Sequence, residues 1–176
     1  PELLKKNPSL EIKLIHELSR KITESVVSFK IDFGIVVNPT RHPDLIIRDL
    51  WKDEVSLWTA KSPSDLQTTS GEGVLLCDPE LAQSQTLLKQ FERSGFSFKR
   101  IVECSSLDLI CSLVVSGAGV GILPGRVAAR LEPKGLKLVK GAPKYIDHHA
   151  LVYRADAQNS VASRTLAKSI ESILLS

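Results

Sequence analysis

From Leu10 the chain alternates, with Leu10, Ile12 and Leu14 separated by Glu11 and Lys13, the period-2 pattern of a strand with one buried face. This predicts a strand over 10–15. Ser19 then stands before Ile22, Val26 and Phe29, an apolar stripe at helical spacing that predicts a helix at about 19–29 with the serine hydroxyl as its cap. IDFGIVV, Ile31 to Val37, is almost continuously apolar, as a parallel strand covered by helices on both sides would be. Strand, helix and strand together make a βαβ unit.

LII at 45–47 and VSLWT at 55–59 read as two further strands, separated by the charged stretch RDLWKDE. VLLC at 74–77 is a short buried strand, set off by the Ser/Thr/Gly-rich loop from Ser62 to Gly73. Leu81, Leu88 and Phe91 share one face of a helix that ends at Gly95, a residue suited to a left-handed turn. A strand follows at Ile101 to Glu103, and Ser105-x-x-Asp108 has the form of a capping box before Leu107, Ile110, Cys111 and Val114. Gly117 closes that helix, GVGILP is a short apolar strand, and Pro124 can occupy the first position of the next helix. Strands at 136–139 and 149–153 follow, and Leu166, Ile170, Ile173 and Leu174 mark a last amphipathic helix from about Ser160. The alternation defines an α/β protein with mostly parallel sheets. The irregular stretch between about 38 and 73 divides two βαβ-rich regions, which predicts two lobes.

Composition removes several classes. At 176 residues, 43% hydrophobic and 24% charged, the chain is a folded domain of ordinary composition rather than a disordered or fibrous one. A net charge of +3 is too even to indicate a basic nucleic-acid surface, so DNA contact is expected from elsewhere. No apolar run approaches the roughly 20 residues of a membrane span, and PELLKKNPSL has no signal-peptide core. Cys77, Cys104 and Cys111 fit neither a disulfide framework nor a zinc ribbon. A cytoplasmic location is the simplest expectation.

Candidate chemistry is sparse. Gly117, Gly119 and Gly121 resemble half of a dinucleotide fingerprint, but they follow a helix and precede a strand, the reverse of what a pyrophosphate needs. There is no nucleophile elbow, P-loop or HExxH motif. His148 and His149 point to opposite faces of an extended strand, a poor geometry for one metal, while His16 and His42 read as surface or loop residues. Cys77 and Cys111 lie in apolar runs as small core residues. No acid, base and nucleophile set stands out, so neither catalytic residues, a metal nor a cofactor are expected. Two polar helix starts remain, Ser19 and the pair Ser105 and Ser106. Hydroxyls there serve capping, ligand contact or both, since helix N-termini offer unpaired amides and a positive dipole end.

Two longer patterns carry a resemblance. NPSLEIKL, a helix and SFKIDFGIV are similar to the opening of the effector-binding domain of LysR-type transcriptional regulators. VECSSLDLICSLVVSGAGVGILP resembles that family's Glu-x-Ser segment, its following helix and its Ala-Gly-x-Gly-Ile-x-x-Pro element. The resemblance implies a periplasmic-binding-protein type II fold, with two lobes joined by two crossover strands at about Asp53–Thr59 and Tyr145–Tyr153. Lobe one is then 1–55 with 152–176, and lobe two is 56–151. It also implies a small-molecule effector held between the lobes, contacted by Ser19 and by Ser105 and Ser106. Asn38 and Asp78 are further candidates, because ligands in open α/β sheets collect just past the carboxyl ends of strands. Side-by-side dimers, tetramers of the full protein and promoter DNA as partner are implied as well. The family's N-terminal DNA-binding domain, and the first strand and helix of the effector domain, are expected to be absent from this chain. A solute-binding protein of the same fold is the alternative.

Overall fold

The computed structural model describes residues 10–60 and 73–175, with Lys5 and Pro8. The chain forms two compact units, Pro1–Lys52 with His148–Ser176, and Asp53–Asp147. It passes from the first to the second within one strand and returns within another.

In unit one, α1 (Ser19–Val27) leads to β1 (Phe33–Val37). β1 pairs antiparallel with β7 (Tyr145–Arg154), in the register Phe33↔Tyr153 to Val37↔His149. β2 (Leu45–Thr59) supplies its first half here, and α5 (Val161–Leu175) closes the chain. Side chains alternate across the strands, so each face holds its own core. Ile22 and Val26 of α1 pack with Val36, Leu45 and Val152. On the other set, Leu50, Leu151 and Tyr153 pack with Ala167 of α5.

Unit two holds the second half of β2, which pairs antiparallel with β5 (Val120–Pro124) and with β6 (Lys137–Leu138). β3 (Gly73–Cys77) lies parallel to both β5 and β4 (Phe98–Glu103). Leu75 and Cys77 pack with Leu87 and Phe91 of α2 (Ala82–Arg93). The intervening Leu76 packs with Ile110, Cys111 and Val114 of α3 (Leu107–Val115). α4 (Gly125–Ala129) is a short helix after β5.

The α/β class and most elements match the sequence pattern, and several expectations change. Residues 10–15 form no strand, and Leu14 is 91% exposed; an alternating segment becomes a strand only beside a partner, and no described strand pairs with it. The first βαβ unit is therefore not formed, and the sheet is mixed rather than mostly parallel, because β1 runs antiparallel to β7. The two strands at 45–47 and 55–59 are one, since Leu50 and Asp53 turn inward while Arg48, Asp49 and Lys52 stay exposed. Ser19 is not the cap of α1; Leu18 holds that position, without a side-chain cap bond. Pro124 ends β5 as the N-cap of α4 rather than opening the helix from within. Most of the Ser62–Gly73 loop lies outside the described residues.

β5 and the residue before it approach their neighbours through two glycines. A Cβ on Gly119 would press into the carbonyl of Val74, and one on Gly121 would lie 2.8 Å from Val114 and 2.9 Å from Ile110. We expect Gly119→Ala to destabilise the chain by about 1–3 kcal/mol, because backbone cannot yield as a flexible side chain does. Urea denaturation checks this, with a lowered midpoint and an unchanged slope as the expected result.

Candidate functional site

In unit one the end of β1 gathers two of the five predicted contacts. Ser19, in the first turn of α1, accepts the N–H of Val37 on its hydroxyl oxygen at 3.0 Å. The next residue, Asn38, has φ of 51°, a left-handed conformation that asparagine tolerates better than most. That turn lets Asn38 meet His148 twice: its own N–H donates to the His148 carbonyl at 2.8 Å, and its Oδ1 accepts the His148 N–H at 2.8 Å. Ser19 and Asn38 thus flank Val37 at the carboxyl end of the strand.

In unit two the other three gather past the carboxyl ends of β3 and β4. The N–H of Cys104 donates to the Cys77 carbonyl at 2.9 Å, which extends the parallel pairing to the residue just before Ser105. Asp78 is buried and accepts the N–H of Glu80 on Oδ1 at 3.0 Å. Ser106, not Ser105, caps α3: its hydroxyl accepts the N–H of Leu109 at 3.3 Å. The predicted capping box is therefore displaced by one residue, and Asp108 occupies the first turn as a charge complement to the dipole. Ser105 is exposed and leaves its hydroxyl uncommitted among the described residues.

Sequence reasoning missed the contacts that join distant segments. Both carboxylate oxygens of buried Asp53 accept the N–H of Arg126 at 3.2 Å, holding the start of α4. The missing capping side chain at Pro124 is the one local sign that such a partner is needed. Trp51 stacks on His149, ring centroids 4.7 Å apart and 14° from parallel. His148 is exposed instead, so the two histidines do face differently. Among the described residues no group of three or more His, Cys, Asp or Glu is disposed to hold a metal ion. A depression of about 450 Å³ lies beside α1, lined by Ile15, Glu17, Lys21, Ile22 and Ser25 among others, and none of the five predicted contacts lines it.

Burial pushes the thiol of Cys77 up to about 11, with Glu103 and Asp78 adding to the effect, and raises that of Cys111 for the same leading reason. Both are neutral thiols at physiological pH.

With this geometry in place, the comparisons with known proteins fall into one class. The sequence profile of the LysR substrate binding domain matches residues 1–173. The chain belongs to that family. Among curated relatives, the HTH-type transcriptional regulator YwbI of Bacillus subtilis is 24% identical over 175 residues, covering 95% of this chain and 58% of the regulator. The HTH-type transcriptional regulator SoxR of an Arthrobacter species is 22% identical, covering 96% and 58% respectively. The chain thus spans somewhat over half the length of these relatives. Among solved structures, the apo regulatory domain of HypT from Salmonella typhimurium has a TM-score of 0.80 at 11% identity, covering 98% of this chain and 87% of that one. The Synechocystis PCC6803 CcmR regulatory domain in complex with 2-PG has a TM-score of 0.74 at 16% identity, covering 98% and 88%. These likenesses establish the fold, the periplasmic-binding-protein type II fold of LysR regulatory domains.

Two outcomes test the local chemistry. Ser106→Ala should cost about 1 kcal/mol through the lost cap, while Ser105→Ala stays within about 0.5 kcal/mol; paired urea titrations separate them. A disulfide-exchange reagent at pH 8 should modify Cys104 first, leaving Cys77 and Cys111 protected until the chain unfolds, because only a thiolate in contact with solvent reacts.

Proposed function

We propose that this chain is the effector-sensing module of a LysR-type transcriptional regulator, and that Ser19 and Asn38 in unit one, with Asp78, Ser105 and Ser106 in unit two, contact the effector. The observation that carries the proposal is the family match over residues 1–173. The curated relatives carry HTH-type regulator names, which favours regulation over the solute-binding alternative and over an enzyme. The expected partners follow from the same reading: a small-molecule effector, a second copy of the domain, and promoter DNA reached through a domain outside this chain. The cytoplasm is the compartment in which such a protein meets its promoter. Among the described residues no helix is long and apolar enough to cross a membrane.

The hydrogen-bond capacity left at these residues sets the effector's chemistry. Ser19 already accepts from Val37, which leaves its proton and one lone pair to offer a ligand. Ser105 offers an uncommitted hydroxyl beside the opening of α3, where the helix dipole favours negative charge. Both favour a ligand rich in acceptors, such as a carboxylate. Binding drives a response only as far as the ligand prefers one arrangement of the domain over another.

Thermal melting against a panel of small carboxylates, amino acids and aromatic acids tests this. A ligand at 100 times its dissociation constant adds about 2.7 kcal/mol, which raises the melting temperature by several degrees. Ser19→Ala and Ser105→Ala should each weaken the hit about fivefold, as expected for a lost hydrogen bond of about 1 kcal/mol. Unchanged affinity in both variants would remove them from the site.

A further inference from the structure

The net charge of +3 conceals an uneven distribution. Between Gly125 and Lys144 stand six basic residues, Arg126, Arg130, Lys134, Lys137, Lys140 and Lys144, and one acid, Glu132. The rest of the chain then has 17 basic and 19 acidic residues and is slightly acidic. All six basic residues are exposed. Lys144 is offset by Glu54 at 2.9 Å, whereas Arg130, Lys134, Lys137 and Lys140 form no ion pair among the described residues.

The segment is not a loose tail. Leu136, Val139 and Ala142 are buried along it, and Val139 donates its N–H to the Leu57 carbonyl at 2.9 Å. Gly135 and Gly141, at φ of 92° and 78°, turn the backbone so that the lysines between the anchors remain outside. Lysines beside an unpaired strand edge are a common guard against aggregation. That accounts for Lys137 in β6, but not for Arg130, Lys134 and Lys140, which lie outside any strand.

We propose that residues 126–144 of unit two form a binding surface for the phosphate backbone of duplex DNA. Composition favours the duplex backbone over other polyanions. The segment has no aromatic side chain on which an unpaired base could stack, and no Asn, Gln, Ser or Thr to read base edges. It has no aromatic anchor for a lipid interface either. What remains is a set of exposed cations on an anchored backbone, which would position a duplex without regard to sequence. No residue of this surface is among the proposed effector contacts, and the inference does not depend on them.

The test is fluorescence anisotropy of a labelled duplex of about 30 base pairs and arbitrary sequence, titrated with the 176-residue chain at several salt concentrations. Four phosphate contacts give a slope of log affinity against log salt of about −3 to −4, so affinity falls about 100-fold or more between 50 and 200 mM salt. Replacing Arg130, Lys134, Lys137 and Lys140 together by Gln should flatten the slope to near zero and weaken low-salt binding at least about tenfold. Replacing exposed Lys13, Lys30, Lys89 and Arg93 by Gln removes the same charge elsewhere and should change little. If the first quadruple variant melts early, the pair Lys134→Gln and Lys140→Gln should still lower the slope by about two. Absence of salt-dependent binding overturns the proposal, as does an equal loss in both quadruple variants. Binding to phosphatidylserine vesicles but not to duplex, through the same four residues, overturns it too.

Discussion

A side chain at position 119 or 121 would force its neighbours to shift, and unit two is arranged around that constraint. β5 lies between β2 and β3, so it must approach a strand on either side while α3 settles onto it. Gly119 permits the approach to Val74, and Gly121 permits Val114 and Ile110 to rest on the strand. α3 has nine residues, too few to persist in water on its own helix propensity. It is held by burial of Ile110, Cys111 and Val114, and it ends cleanly because Gly117, at φ of 84°, lets the N–H groups of 117 and 118 close back on Val114 and Leu113. With both ends fixed, the serines at its start are fixed as well.

Unit one solves a similar problem by different means. Gly34 admits α1 so closely that an added Cβ would stand 2.5 Å from Ile22. The end of α1 then turns through Phe29 rather than glycine, at φ of 60°, a conformation that costs a bulky residue of order 1 kcal/mol. Arg154 offsets the cost from β7. Its guanidinium lies 3.8 Å from the centre of the Phe29 ring, donates to the Val27 carbonyl at 3.0 Å and is paired with Asp156. The arginine binds the end of α1 to the end of β7, which are 127 residues apart in sequence.

The parts legible in the sequence are those whose cause is local. Amphipathic spacing located α1, α2, α3 and α5, and Gly95 and Gly117 marked two helix ends. Errors arose where a distant partner decides. Residues 10–15 carry the right alternation, but alternation is not a strand without hydrogen bonds from a neighbour. Leu50 and Asp53 made a single strand of a stretch whose charges had suggested a break, because charged side chains are readily accommodated on the solvent side of a buried strand. Ser105 and Ser106 both suit a cap, and only backbone geometry chooses between them. Asp53 and Arg126 could not have been paired from a separation of 73 residues.

The two kinds of positive potential on unit two differ in physics and so need not compete for ligands. At the start of α3 the charge is fractional, fixed in direction and effective within about one helical turn. It suits the small acceptor-rich effector proposed for Ser105 and Ser106. Along 126–144 the charges are whole, carried on long side chains that stay hydrated, and screened over about 10 Å at 0.1 M salt. They suit an extended polyanion that meets several at once, and they weaken steeply as salt rises. A compact carboxylate gains little from lysines it can meet only one at a time, and a duplex gains little from a partial charge that is effective over one helical turn. The proposed effector contacts and the proposed duplex surface therefore make different demands on their ligands.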